Sequence, residues 1–122
     1  MTLSANDYQT AALQTAIYPN ASNNFVYPAL GLVGEAGEVA DKLKKVIRDN
    51  DGVLTDPIRE SVAKELSDVC WYVAIGSDAV KVPLSNIQQT NINKLKARFP
   101  DKFSEENAIN RNLDKERKIL ES

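Results

Sequence analysis

The chain has 122 residues, of which 43% are hydrophobic and 26% charged, a balance that fits one globular domain over 1–122 and names no function. A formal net charge of -2 excludes a nucleic-acid binder held by bulk positive charge, and the lack of histidine excludes histidine triads and counts against a di-iron bundle built on Glu-x-x-His. One cysteine excludes an internal disulfide framework, no run of about 18 apolar residues is present to cross a membrane, and the opening MTLSANDYQ lacks the pattern of a secretion signal, so a cytoplasmic protein without a membrane partner is expected.

In chain order, Ser4 with Asp7 resembles a capping box, and Tyr8, Ala11, Ala12, Thr15 and Ile17 carry a helical period as far as Tyr18. Residues 19–24 read as a loop. A second helix is expected over 30–48, with Pro28 in its first turn and Leu32, Ala36, Val39, Ala40, Leu43, Val46 and Ile47 as its apolar stripe. Gly31, Gly34 and Gly37 weaken that helix by up to roughly 1 kcal/mol each, which is tolerated where helices pack closely or a ligand needs the backbone. Asp49-Asn50-Asp51-Gly52 is a tight turn. Asp56 as N-cap and Pro57 at the first helical position then start a third helix, whose stripe is Val62, Leu66, Val69, Val73 and Val80 and which predicts a buried thiol at Cys70. Lys81-Val82-Pro83 breaks it, Ser85 caps a fourth helix with Leu84, Ile87, Ile92 and Leu95, and Pro100 ends that one. Residues 101–122 are strongly polar and predict a C-terminal arm, with a short turn capped by Ser104 and a terminal helix frayed or laid on a partner. No strand pattern occurs, so the expected fold class is all-α, a four-helix-type core plus the arm.

The acidic residues carry the chemistry. Glu35 with Glu38, and Glu65 with Asp68, are each three residues apart and so stand one turn apart on one helix face. At about 100° per residue, both pairs leave the centre of their stripes in the same sense by nearly equal angles. The short turn dictates an antiparallel hairpin, whose two-fold relation keeps equal offsets on the same side of the seam. Register agrees, because the midpoint between the pairs falls at Asp51 and Gly52. Four carboxylates are therefore expected at one height, and their mutual repulsion calls for a hard cation, Mg²⁺ with Mn²⁺ as a substitute. Glu35, nearest the seam, is the expected general base, and Glu38 is almost as well placed. On the fourth helix Asn91, Lys94 and Arg98 share a face, and beside such a centre Lys and Arg suit phosphate oxygens. Plainer readings stand next to these: Glu38 with Lys42 and Asp41 with Lys45 as i,i+4 ion pairs, the fourth-helix stripe as a solvated face, and Trp71 and Tyr72 as core or interface packing.

Glu35-x-x-Glu38 and Glu65-x-x-Asp68, with NINKLKARFPDKFSEENAINRN from Asn91 to Asn112, resemble the MazG-like all-α nucleoside triphosphate pyrophosphohydrolases. The resemblance implies Mg²⁺-dependent hydrolysis of (deoxy)nucleoside triphosphates to monophosphate and pyrophosphate. It implies metal ligation by Glu35, Glu38, Glu65 and Asp68, with Asn91, Lys94 and Arg98 toward phosphates or sugar, in a homodimer or a dimer-of-dimers tetramer. Members often read the base near the N-terminus, where Gln9, Gln14, Tyr18 and Asn24 are candidates, and Lys45 stands where some relatives carry a base-stacking aromatic. Self-association is expected on other grounds too, since Val53, Leu54, Trp71, Phe99, Phe103, Ile109, Leu113, Ile119 and Leu120 lack an inner wall in a lone small chain. The competing class is a non-catalytic metal-binding helical dimerisation or nucleotide-sensing module.

Overall fold

The computed structural model describes residues 2–99 and 113–121, and among them it contains helices and connections but no strand. The helices are α1 (Ala5–Leu13), α2 (Val26–Asp49), α3 (Asp56–Ala79), α4 (Leu84–Arg98) and α5 (Leu113–Glu121), with a 3₁₀ turn at Ala21–Asn23. The all-α class expected from the sequence is what is found. By internal contacts the chain divides into two compact units, Met1–Leu84 and Ser85–Ser122.

Local chemistry sets the helix ends. Ser4 has extended backbone and its Oγ accepts the Asp7 N–H at 3.1 Å, so α1 is capped as the sequence suggests. It stops at Leu13, short of Tyr18, because Thr15 and Ala16 turn back on the Ala12 and Leu13 carbonyls at 3.0 and 3.1 Å. In α2 the first turn begins at Val26, ahead of the predicted start, since Asn24 Oδ1 takes the Tyr27 N–H at 3.1 Å and Pro28 has no N–H to satisfy. At α3 the N-cap is Thr55, one residue before the expected Asp56, and Pro57 stays in the first turn. Between the two long helices Asp51 and Gly52 take left-handed φ of 52° and 74°, and the Asn50 and Gly52 N–H groups both close on Val46 O at 3.0 and 3.1 Å.

In the first unit α2 meets α3 in reversed chain order. Lys42 Nζ donates to Ser61 Oγ at 2.5 Å, and the Tyr72 ring lies so close to Gly31 that a Cβ there would overlap it. Both pairs are symmetric about Asp51 and Gly52. The covered face, however, is rolled away from the predicted stripe. At about 100° per residue, the covered positions Pro28, Gly31, Leu32, Glu35, Val39, Lys42 and Val46 span an arc of about 100° that has Glu35 inside it, and Asp41 is half-buried off that arc. Ala36, Ala40, Leu43 and Ile47, the far half of the stripe, are exposed, Ile47 by 73%. On α3 the covered arc of Ile58, Ser61, Val62, Glu65, Val69 and Tyr72 surrounds Glu65 in the same way, leaving Leu66 and Cys70 outside. The buried thiol expected at Cys70 is thereby corrected to an exposed one. Gly31 permits this roll by letting an aromatic ring rest on the α2 backbone.

The apolar core lies at the α1 end of the unit. Ala12, Ala74, Ile75 and Leu84 are buried together, and Tyr8, Leu13, Tyr18, Trp71 and Val73 pack around them. Full burial of a side chain such as Ile75 stabilises by about 1.5–3 kcal/mol. Gln9 is buried within this core with both amide ends bonded, Nε2 donating to Ala74 O and Oε1 accepting from Leu84 N, each at 3.0 Å. Trp71 Nε1 donates to Thr15 Oγ1 at 2.8 Å, which fits the packing role expected of Trp71. In the second unit Arg98 Nε donates to Glu116 Oε1 at 2.8 Å, with both side chains largely covered. The predicted Ser104 turn, with Phe103 and Ile109, lies outside the described residues. No described helix is long and apolar enough to cross a membrane.

The Tyr72 contact yields a paired prediction. Gly31→Ala should destabilise by ~1–3 kcal/mol through overpacking, whereas Gly34→Ala, whose Cβ would meet nothing within 4 Å, should be neutral or stabilising. Thermal melts of the two variants check this, and equal melting temperatures would contradict the seating of Tyr72.

Candidate metal centre

Two helices supply the acids, Glu35 and Glu38 from α2, Glu65 and Asp68 from α3. One carboxylate oxygen from each of Glu35, Glu65 and Asp68 lies within 4.8 Å of the other two. Glu35 and Glu65 are half-buried and Asp68 is exposed. Glu38 is exposed and stands outside this group, although its charge still bears on Glu35. With Glu35 and Glu65 inside the covered arcs, a three-residue step carries Glu38 and Asp68 about 60° to the open side.

Electrostatics in this cluster is unfavourable without a cation. The Glu35 carboxyl is raised above its ordinary value of 4.5, first by burial, then by the charges of Asp68, Glu65 and Glu38 and a hydrogen bond with Glu65. The donor set is all oxygen and anionic, with no imidazole in the chain, which suits Mg²⁺ or Mn²⁺ over softer metals. Oxygens on opposite sides of Mg²⁺ are about 4.2 Å apart, so a 4.8 Å cluster is close to the span required. The residues present fit a hard divalent cation.

Neighbouring side chains frame the acids along the seam. Toward the turn, Lys42 Nζ is 2.8 Å from Glu65 Oε1 while it also bonds Ser61. Lys42 thus reaches across to α3 rather than along its own helix to Glu38. The other expected pair is present, Asp41 with Lys45 at 2.8 Å, and Lys44 joins it at 3.0 Å. Hydrogen bonds from Lys45 and Lys44 lower the Asp41 carboxyl to about 2. At the other end Tyr72 stands between Tyr27 and the acids, and its phenol is raised first by burial, then by Tyr27, Glu35 and Asp68. Tyr27 in turn stacks on Tyr18 with ring centroids 4.3 Å apart.

Several of the remaining sequence candidates are engaged in the fold. Tyr18 Oη donates to Ala21 O at 3.2 Å, Asn24 holds the start of α2, and Gln9 is fixed in the core, so these three serve the fold, while Gln14 is exposed. On α4 Asn91 is exposed, Lys94 is half-buried and Arg98 is held by Glu116. Neither the Lys42–Glu65 bridge nor the seat of Tyr72 is anticipated from sequence. One signal does point to the first: Lys42 and Ser61 are symmetric about the turn, as Glu35 and Asp68 are.

A helical pair that gathers hard oxygen donors beside a lysine defines an all-α protein with a candidate metal-dependent site. Residues 28–103 match the MazG nucleotide pyrophosphohydrolase domain, and the chain belongs to that family. It is also similar to the Gene 37 protein of Mycobacterium phage L5, 49% identical over 96 residues that cover 75% of this chain and 84% of that protein. No solved structure matches.

The raised Glu35 carboxyl predicts a pH-dependent stability. Its proton is bound more tightly in the folded state, so the contribution of Glu35 is fully present below the ordinary 4.5 and is lost as pH rises through the raised folded value. In chelator, Glu35→Gln should therefore melt higher than the parent at neutral pH, and the difference should close as pH falls toward 4.5. A variant that melts lower at neutral pH would contradict the repulsion.

Proposed function

We propose that the protein hydrolyses nucleoside triphosphates to monophosphate and pyrophosphate with Mg²⁺, and that an antiparallel α2–α3 hairpin is the scaffold of the reaction. The carrying observation is the convergence of Glu35, Glu65 and Asp68 within a span matched to the MazG domain. Glu35, Glu65 and Asp68, joined by Glu38 from the open side, would hold the cation. When bound, that cation supplies charge neutralisation at the phosphates and a more acidic attacking water.

The chain's own residues do the rest. Glu35 takes a proton from water as the water oxygen adds to the α-phosphorus; the bond from that phosphorus to the α,β-bridging oxygen breaks, and the oxygen leaves with pyrophosphate. Half-buried beside the seam, Glu35 is better shielded from water than an ordinary surface glutamate, which favours it for this work. Glu65, fixed from the turn side by Lys42, holds its place. Asn91, Lys94 and Arg98 are proposed as substrate contacts on the resemblance. Leu30, Val33, Ile47 and Leu66, exposed by 69, 72, 73 and 49%, favour a homodimer or a dimer of such dimers. The reaction belongs in the cytoplasm, where its substrates are, and needs no nucleic acid.

The test is incubation with a panel of canonical and modified nucleoside triphosphates plus Mg²⁺, scored for monophosphate and pyrophosphate. Glu65→Gln and Asp68→Asn should lower turnover by roughly two orders of magnitude or more with helicity retained, and Lys94→Ala should weaken turnover without loss of fold. No hydrolysis of any member would leave the non-catalytic metal-binding or sensing module. In light scattering the mass should be at least twice the 13.5 kDa chain, and an active species of 13.5 kDa would contradict the assembly.

A further inference from the structure

We propose that Lys42, anchored by Ser61, is the positioning residue that fixes Glu65 as a single-oxygen metal ligand; this rests on the metal-centre reading above. Lys42 Nζ holds three oxygens of α3: Ser61 Oγ at 2.5 Å, Ser61 O at 3.4 Å and Glu65 Oε1 at 2.8 Å. Ser61 and Glu65 are one turn apart on α3, so one ammonium bridges both from the opposite helix. The Lys42 and Glu65 side chains are 30% and 18% exposed, which removes much of the water that would let a surface lysine wander. Lys44 and Lys45, on the same helix, are bound to Asp41, so the turn side of Glu65 is left to Lys42.

A lysine beside a cation site has two opposing effects. As a like charge it repels an incoming Mg²⁺, and its removal should then tighten metal binding. As a donor to Glu65 Oε1 it would hold that carboxylate in one orientation and leave its other oxygen free for a cation, and its removal should then weaken binding. The anchor decides between them. Ser61 carries no charge, and its hydroxyl has its place on Nζ rather than on any acid of the cluster. Its contribution to metal binding passes through the position of Lys42. Charge neutralisation alone would need no such anchor, whereas orientation does. Partners of this kind outside the ligand set typically change metal affinity by about 10–100-fold.

The experiment is Mn²⁺ titration followed by electron paramagnetic resonance, without substrate, on the full chain and on Ser61→Ala, Ser61→Thr, Lys42→Met and Glu65→Gln, with helicity checked for each. Ser61→Ala is expected to bind Mn²⁺ ~10-fold more weakly, Ser61→Thr to restore the parent value, and Lys42→Met to bind at least as weakly as Ser61→Ala. Mg²⁺ activation of turnover should move in parallel, with the half-saturating Mg²⁺ raised and the rate at saturating Mg²⁺ changed much less. Parent affinity in Ser61→Ala, or tighter binding in Lys42→Met, would overturn the positioning role while leaving the metal centre intact, provided Glu65→Gln still loses the ion. A parent that binds no Mn²⁺, or Glu65→Gln binding as the parent does, would instead overturn the metal centre and the inference with it.

Discussion

Three carboxylates held within 4.8 Å of one another are the constraint on which the rest of this structure depends. Like charges at that distance do not gather unless the scaffold imposes it, so the α2–α3 contact must be strong enough to hold them. The contact does so through a register centred on Asp51 and Gly52, which sets Gly31 under Tyr72, Glu35 near Asp68 and Lys42 against Ser61. The apolar core of Ala12, Ala74, Ile75 and Leu84 sits at the α1 end, where it stabilises the helices. The apolar core and the acidic cluster are thus placed at different heights of one helical pair.

Much of this was legible because its causes are local. The Ser4 cap, the left-handed turn at Gly52 and the proline in the first turn of α3 follow from residue chemistry that no tertiary contact has to override. The register was legible as well, since a tight turn leaves two long helices little freedom to slide. What was not legible is rotation about the helix axis. Apolar stripes alone place Leu43, Ile47, Leu66 and Cys70 in the seam, yet all four are exposed, because Glu35, Lys42, Ser61, Glu65 and Tyr72 share the seam with Leu32, Val39, Val46, Val62 and Val69. A sequence does not reveal that Gly31 makes room for a phenol ring from the facing helix. From the same roll it follows that Lys42 finds Glu65 rather than Glu38, and that Glu38 stands apart from the other acids.

The exposed half of the stripes also has a physical sense. A single chain of this size that left its apolar side chains open would be poorly soluble, whereas a second copy laid over Leu30, Val33, Ile47 and Leu66 would cover them and leave the acids open to a nucleotide. The roll that brings acids into the seam is the same roll that exposes apolar side chains, so a charged cluster and an open apolar face arise from one packing choice. Membership of the MazG family fits this arrangement, and the unmatched remainder of the chain contributes α1, whose Gln9 and Tyr8 support the core.

The proposed seat of a hard divalent cation on Glu35, Glu65 and Asp68 is open to direct observation. Anomalous diffraction from crystals grown with Mn²⁺ tests it most directly, because the signal locates the ion without reference to activity. A peak bonded to carboxylate oxygens from both α2 and α3 is expected, with Lys42 still on Glu65. A peak confined to other residues, or none at a Mn²⁺ concentration that supports hydrolysis, would contradict it.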